Sequence, residues 1–369
     1  MSWLTDIFFY VVPFLLIFTL VVFVHELGHF WAARRNGFPV QSFALGFGRE
    51  IWGRTDAQGT RWRVNLVPFG GYILMPGLDD EDEGRPSGGV FNKPPEQRFW
   101  VSVAGPLGNY LLAFLLLSGV YIAVGRPDSS LRVSGTLADS PAAKVDILSG
   151  DMITQIDDMP VLTFSELRQA LEKSQPGAEI TVHIKRQEQE LEKHLIPAYT
   201  EKKNFLGRTV RNFSLGVFLA EGDLRPLSFP KALWYGLQDV GYLSWGMATS
   251  LGRIFTGEQS LGSLGGPVRI AEMAGEVSKS GSFASILLFI VSLSINLGLV
   301  NLFPLPGLDG GTALFCLFEK LLRRPVSRRV REVVGYSGFV VLGTLMLFTL
   351  GNDLVRLPAL QKFRAFLGM

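Results

Sequence analysis

The sequence predicts a membrane α-helical fold. It has four spanning helices, a β-rich membrane-associated loop between the first two, and one α/β domain outside the membrane between the second and third. Composition is the first ground. Hydrophobic residues make up 47% of the 369-residue chain and charged residues only 18%, fewer charges than a water-soluble chain of this length carries. Clustering is the second, because the apolar residues gather in runs near the ~20 residues that a bilayer core demands. The third is the uneven placement of lysine and arginine, which sets direction.

The first spanning element is 1–33, with an apolar run from 7 to 24 that continues past a short polar interruption to Ala33. A cleaved signal peptide fits it poorly, since no positive residue precedes the run and no small-residue cleavage site follows. The other runs cover 99–124, 283–303 and 333–350. Arg34 and Arg35 follow the first run directly. Lys320, Arg323, Arg324, Arg328, Arg329 and Arg331 lie between the third and fourth. Positive loops stay in the cytoplasm. The N-terminus is therefore expected outside, the loops 34–98 and 304–332 inside, and the segment 127–282 and the tail 351–369 outside.

Within 34–98, alternating stretches at 39–45 and 60–67 read as strands, joined by a turn at Asp56-Ala-Gln-Gly59. The apolar, glycine-paired stretch 69–75 suggests that part of this sheet dips into the membrane, and the acidic run 79–83 reads as a solvated bend. The segment 127–222 has soluble texture: strand, short helix from Ser140, strand pair, longer helix, strand, strand. Thr163-Phe-Ser-Glu166 has the form of a capping box before the longer helix. In 223–282, the stretch 232–255 carries Trp234, Tyr235, Tyr242 and Trp245 and reads as a helix lying on the membrane surface. A fifth span is the runner-up for it.

His25-Glu26-Leu27-Gly28-His29 carries the chemistry. Residues four apart share a helix face, so both imidazoles can ligate one Zn²⁺ while Glu26 stands beside it as general base. Ionisable residues inside an apolar span are costly and mark function. Of the four histidines, His183 and His194 fall in the external domain and are excluded as ligands. The third ligand is expected to be Asp309, in Asn301-Leu-Phe-Pro-Leu-Pro-Gly-Leu-Asp-Gly-Gly311. The first and third spans both run outside to inside, so His29 and Asp309 meet at one depth. A plain loop cap is the other reading of Asp309. The lone Cys316 excludes a disulfide framework and a cysteine-rich metal site, and no basic block invites nucleic acid.

With these two motifs the chain resembles the site-2 protease family. Phe91-Asn-Lys-Pro94, Ala104-Gly-Pro-Leu-Gly-Asn109 and Gly265-Gly-Pro267 extend the match. The element order around Ser140 to Val161 resembles a circularly permuted bacterial PDZ domain, which narrows the likeness to the regulator-of-sigma-E protease branch with a single PDZ domain. Three departures stand out. Thr312 replaces a frequent histidine, one PDZ domain stands where some relatives have two, and Val145-Asp-Ile-Leu148 replaces the usual Ala-Gly-Leu.

The resemblance implies a zinc metalloendopeptidase of the bacterial inner membrane, with its active site near the cytoplasmic side and its PDZ-like domain in the periplasm. Its partners would be the lipid bilayer and single-pass membrane proteins, namely anti-sigma factors and remnant signal peptides. His25, His29 and Asp309 are its expected metal ligands and Glu26 its base. Asn296 and Asn301 match polar residues implicated in substrate handling. Such an amide could hold the scissile segment or stabilise the oxyanion, and a hydrogen bond between helices is equally open. Two rival classes remain, a membrane PDZ scaffold with a vestigial or structural zinc site and a metal transporter. A structural zinc has no need of the carboxylate of Glu26, and a transporter calls for more polar spans than these.

Overall fold

The structure, a computed structural model, describes residues 2–76, 93–127, 131–162, 164–203, 209–220, 224–258, 262 and 265–356. The acidic run 79–83, Phe91, Asn92, Thr163 and the end of the tail, 357–369, lie outside the described residues. In chain order the elements begin with α1 (Ser2–Arg35), β1 (Ser42–Thr55), β2 (Arg61–Leu74) and α2 (Pro95–Ala123). Next come β3 (Arg126–Pro127), β4 (Val133–Thr136), α3 (Pro141–Lys144), β5 (Met152–Ile156), β6 (Met159–Pro160) and α4 (Phe164–Glu172). They continue with β7 (Ile180–Arg186), β8 (Gln189–Leu195), β9 (Ala198–Lys203), β10 (Thr209–Ser214), β11 (Val217–Leu219) and β12 (Leu224–Arg225). Five helices follow: α5 (Phe229–Phe255), α6 (Pro267–Lys279), α7 (Phe283–Leu302), α8 (Asp309–Leu322) and α9 (Arg328–Arg356). These form two compact units.

The first unit holds the long helices together with β1 and β2. Among the described residues four helices are long and apolar enough to cross a membrane, within α1, α2, α7 and α9. Helix α9 starts at Arg328, earlier than the apolar run at 333, so basic residues assigned to a loop form its first turns. Long arginine side chains reach the interface from inside a helix end, which is why apolarity alone underestimates such a helix. The same helix takes in the first residues of the expected tail, and the expected open loop after the third span contains α8. Helix α2 opens on Pro95 with Glu96 in its first turn, a start suited to proline's fixed φ and to the positive end of the helix dipole.

Small residues let α1 and α2 touch. A Cβ on Gly28 would lie 2.2 Å from the Ala104 carbonyl oxygen, and one on Gly108 would lie 3.0 Å from that of Val24. Such close backbone approach is how helices associate where no hydrophobic force distinguishes lipid from protein. Helix α6, which the sequence reading left inside a linker, packs on α1 through buried Ala274 and through Gly275, whose Cβ would meet the Tyr10 ring at 2.0 Å. Its N-terminus is capped from α9. The Asp353 carboxylate accepts the N–H groups of Gly266 at 3.2 Å and Arg269 at 3.1 Å. Helix α5 spans the expected surface helix and leaves Trp234, Tyr242 and Trp245 exposed.

Strands β1 and β2 are long and doubled back, so they form four segments rather than two. Thr55 to Glu50 pair antiparallel with Arg61 to Asn65. The start of β1 lies on the other side of the same β2 segment, with Phe43 opposite Trp62 in parallel register. It also pairs antiparallel with the end of β2, Ser42 opposite Leu74 and Leu45 opposite Gly71. The expected turn is present. Gly59 takes φ +87°, and Asp56 accepts the N–H groups of Gln58 and Thr60. The Trp62 indole N–H, more than the Arg34 guanidinium, holds the Asp56 carboxyl down at about 2, against the opposing effect of burial. Phe30 on α1 packs with Phe43 and Trp62. Further along α1, Thr19 donates to the Pro68 carbonyl at 2.9 Å and Phe18 stacks on Phe69 at 4.8 Å. The end of β2 thus runs beside the spanning helix.

The second unit is the α/β domain. An antiparallel sheet in the order β6-β5-β7-β8 joins shorter pairings of β4 with β11 and β9 with β10. Its core is Leu131, Val133, Ile153, Ile156, Val182 and Ile184, each at most 3% exposed. Ser140 caps α3 by accepting from Ala143 N–H at 3.2 Å, with Pro141 at the first helical position. Asp146, at the departure from Ala-Gly-Leu, adopts φ +55°. Aspartate tolerates this left-handed conformation better than most residues, so the turn keeps a backbone conformation that favours glycine. His183 and His194 sit on β7 and β8 beside Glu192 and Thr181.

Asp151 is the keystone of this unit. Fully buried, it accepts from Leu148 N–H at 2.8 Å and from the Arg186 guanidinium at 2.6 and 2.7 Å. Burial works against its charge, but the Arg186 hydrogen bonds and the Leu148 N–H outweigh that and hold the carboxyl below its usual range. A lowered pKa means that the contribution is complete at neutral pH and is lost as pH falls through the lowered value. Asp151→Ala should destabilise the sheet by about 2 kcal/mol at pH 7. Hydrogen exchange of β5 and β7 in the full chain should accelerate roughly 30-fold on that basis, and the difference from the parent should shrink in acid.

Candidate metal centre

One turn of α1 brings His25 and His29 together, with ring centroids 4.8 Å apart and Nε2 atoms 3.2 Å apart. The carboxylate comes from the far end of the chain. After α7, Pro304, Pro306 and Gly307 at φ +86° break the helix and turn the chain into α8, which opens on Asp309. Gly310 and Gly311 let that first turn press on the loop. A Cβ on Gly310 would sit 2.3 Å from the Leu302 and Phe303 carbonyl oxygens, and one on Gly311 would sit 2.3 Å from that of Leu305. Asp309 Oδ2 then lies 3.0 Å from His25 Nε2 and 3.3 Å from His29 Nε2. Burial opposes charge on Asp309, yet the flanking imidazoles of His25 and His29 hold its carboxyl at about 2.

This triangle fits a zinc ion. Bonds of about 2.0–2.1 Å in tetrahedral geometry set ligand atoms about 3.3 Å apart, and the three edges here are 3.0, 3.2 and 3.3 Å. The surrounding hydrogen bonds fit as well. His29 Nδ1–H donates to the Val101 carbonyl at 2.8 Å, which leaves Nε2 as its ligating atom. His25 Nδ1 faces the Asn109 side-chain amide at 3.2 Å. Asn109 is fully buried and its Oδ1 finds no hydrogen-bond partner among the described residues. With the amide turned about, Oδ1 accepts from Nδ1–H, the tautomer that frees His25 Nε2 for a metal.

Glu26 is half-buried beside this triangle and is not one of its three members. The triangle and Glu26 line a cavity of about 620 Å³ together with Tyr72, Ile73, Asn301 and Thr312. Gly71, on the end of β2, approaches Glu26 so closely that its Cβ would lie 3.5 Å from Glu26 Cγ. Asn301 Nδ2 is 3.5 Å from His25 Nε2. Asn296 lies on the exposed face of α7, apart from the cavity lining. Sequence reasoning did not single out Asn109 or Val101. The signal for Asn109 was an amide fixed in an otherwise apolar span, within the Ala104 to Asn109 stretch.

Two histidines and a carboxylate at ligating distance, with a second carboxylate alongside and apolar spanning helices around them, define a metal-dependent peptidase set in a membrane. Comparison with known proteins names the family. Residues 13–345 match the model of peptidase family M50, and the chain belongs to that family, whose members are zinc-dependent. Relatives of nearly full length share the description "putative zinc metalloprotease". One from Agrobacterium fabrum is 33% identical over 94% of this chain and 95% of its own. A second from Rhizobium meliloti is 34% identical over 96% and 99%, and a third from Campylobacter jejuni is 31% identical over 95% of each. Among solved structures, the PDZ domain of an SdrC-like protein from Listeria monocytogenes aligns at 20% identity with 26% of this chain and 90% of that domain, with a TM-score of 0.20.

Removing the partner of His25 should loosen metal binding without touching a ligand. Asn109→Ala is expected to raise the zinc dissociation constant about 10- to 100-fold, read by competition with a chromogenic chelator.

Proposed function

We propose that this protease hydrolyses a peptide bond in or next to the transmembrane segment of single-pass membrane proteins, with anti-sigma factors and remnant signal peptides as its substrate classes. The observation that carries this reading is the free edge of β2 passing Glu26 inside the metal-site cavity. A helix hides its peptide bonds, so a spanning substrate must unwind before any reach a catalytic group. Among the described residues no strand pairs with the outer side of Gly71 to Leu74. An extended substrate can add there as a further strand.

In this reading His25, His29 and Asp309 hold the zinc ion, which when bound supplies Lewis-acid activation of water at neutral pH. The Glu26 carboxylate takes a proton from the attacking water and returns it to the leaving amine nitrogen. Asn301 directs its amide N–H groups at the scissile carbonyl oxygen. Val22, Val101 and Leu297 give the cavity apolar walls beside the metal site. Arg34 and Arg35 in the last turn of α1, and Arg323 and Arg324 after α8, support a site near the cytoplasmic face of the bacterial inner membrane, with the α/β domain in the periplasm. There it would read a newly exposed terminus or exclude bulky external domains.

Glu26→Gln should keep bound zinc and lower cleavage of a model transmembrane substrate by 10²- to 10⁴-fold. A scaffold or transporter would show no cleavage in either form. The edge can be tested separately. The Leu74 carbonyl accepts from Gln41 N–H at 2.9 Å, so it points into the sheet. Backbone groups alternate sides along a strand, which turns the N–H of Ile73 outward. Ile73→Pro removes that donor without a ladder bond, and it should slow cleavage about tenfold, the cost of one hydrogen bond, while zinc content stays unchanged.

A further inference from the structure

Both histidines are held by one neighbouring helix. Val101 and Asn109 lie on α2, and their contacts at 2.8 and 3.2 Å aim the rings of His29 and His25. Asp309 opens α8, and α8 has its own tie to α2. Glu319 on α8 forms an ion pair with Arg98 on α2, the carboxylate side chain 2% exposed and the guanidinium 10%. The other Glu319 oxygen accepts from Val326 N–H at 2.9 Å, so the segment leading into α9 is tied to the same point. Arg98 Nε donates to the Lys93 carbonyl at 3.2 Å, which fixes the guanidinium to the entry of α2. Both side chains line the cavity of the metal centre.

A buried ion pair is a weak source of stability, because desolvating two charges offsets most of their attraction. Its strength is geometry, since each group is oriented by a second bond, Arg98 Nε to the Lys93 carbonyl and Glu319 Oε1 to Val326 N–H. Helix α8 is continuous from Asp309 to Leu322, so holding Glu319 holds Asp309, ~15 Å away at the helix start. A slide of α8 by about 1 Å is half of a Zn–O bond of about 2.0–2.2 Å.

We propose that Arg98 and Glu319 are positioning residues for the metal centre, their ion pair registering α8 against α2 and so placing Asp309 at ligating distance from histidines that α2 already holds. All three ligands are thereby referenced to one helix. The inference rests on His25, His29 and Asp309 being the zinc ligands.

The test uses the purified full-length chain and the double variant Arg98→Met/Glu319→Met, which exchanges the pair for apolar side chains and strands no charge. Three quantities are read: the zinc dissociation constant by chelator competition, the thermal midpoint of the zinc-free protein, and kcat and KM on a transmembrane substrate. The zinc constant should rise at least about tenfold, with kcat reduced, KM little changed and the zinc-free midpoint close to that of the parent. An unchanged zinc constant overturns the proposal. If the double variant does not fold, Arg98→Lys keeps the charge but loses the Nε hydrogen bond to the Lys93 carbonyl that orients it. It should raise the zinc constant about threefold or more, and no change there overturns the proposal equally. His25→Ala separates the two layers. If it still binds zinc as the parent does, the ligand assignment itself is wrong. If it loses zinc while the double variant does not weaken it, only the positioning role fails.

Discussion

Polar groups held among apolar helices must satisfy one another, because the bilayer core offers no water to do it. That constraint governs the centre of this protein. Two imidazoles, two carboxylates and two amides are gathered where α1, α2, α7 and α8 meet, and each ring nitrogen has a defined neighbour. His29 spends its Nδ1–H on Val101, and His25 turns its Nδ1 to Asn109. The remaining nitrogens converge with Asp309 Oδ2 into a triangle no wider than 3.3 Å. A cluster so arranged leaves one kind of unmet demand at its middle, and a divalent cation meets it.

Bringing those helices close enough is the work of glycine. Gly28, within the His-Glu-x-x-His turn, meets the Ala104 carbonyl, and Gly105 lies against the His29 ring, where a Cβ would stand 2.3 Å from Nε2. A methyl group at either place would push α2 away and take Val101 and Asn109 with it. Gly338 does the same for α9, whose backbone comes so near the Pro306 carbonyl that a Cβ would be 2.0 Å from it. The loop carrying Asp309 is thus pressed from two sides. Farther along α1, Gly275 and Ala274 seat α6 on the same helix, while Asp353 caps α6 from α9. The zinc-motif helix is therefore seated toward both ends by small residues, Gly28 of its own against α2 and Ala274 and Gly275 of α6 against it.

Much of this was legible in the sequence, and the reasons are physical. Apolar runs report spanning helices because the bilayer has one thickness. The spacing of His25 and His29 reports a shared face because the helix has one period. Asp309 was reachable by parity, since an expected four-span order gives the first and third spans the same direction. What stayed hidden depends on contacts between distant segments. The Arg98–Glu319 pair joins residues that no local pattern links. Asn109 looks, in sequence, like any amide bonding one span to another. The doubling back of β1 and β2 into four paired segments leaves no mark beyond alternation, and α6 is short and framed by glycine and serine. Asp146 departs from the usual glycine in sequence, yet an aspartate can hold the same left-handed turn.

The placement of the β2 edge beside Glu26 also bears on how a helix could ever be cut here. Unwinding a spanning segment exposes N–H and C=O groups, and each one left unpaired in an apolar medium costs several kcal/mol. A protease that only waited for such a state would almost never find it. In the proposed reading a strand edge beside the metal site changes the balance, because groups released from a substrate helix would be taken up by the edge as they appear. Selection would then act on how readily a segment leaves the helix, through glycine, proline or polar residues, more than on any one side chain at the cut. The Thr19–Pro68 bond and the Phe18–Phe69 stack, which pin the end of β2 along α1, keep that edge at the depth of the metal site. In that reading the sheet and the metal-binding turn act as two halves of one device, the first presenting a backbone and the second holding the chemistry.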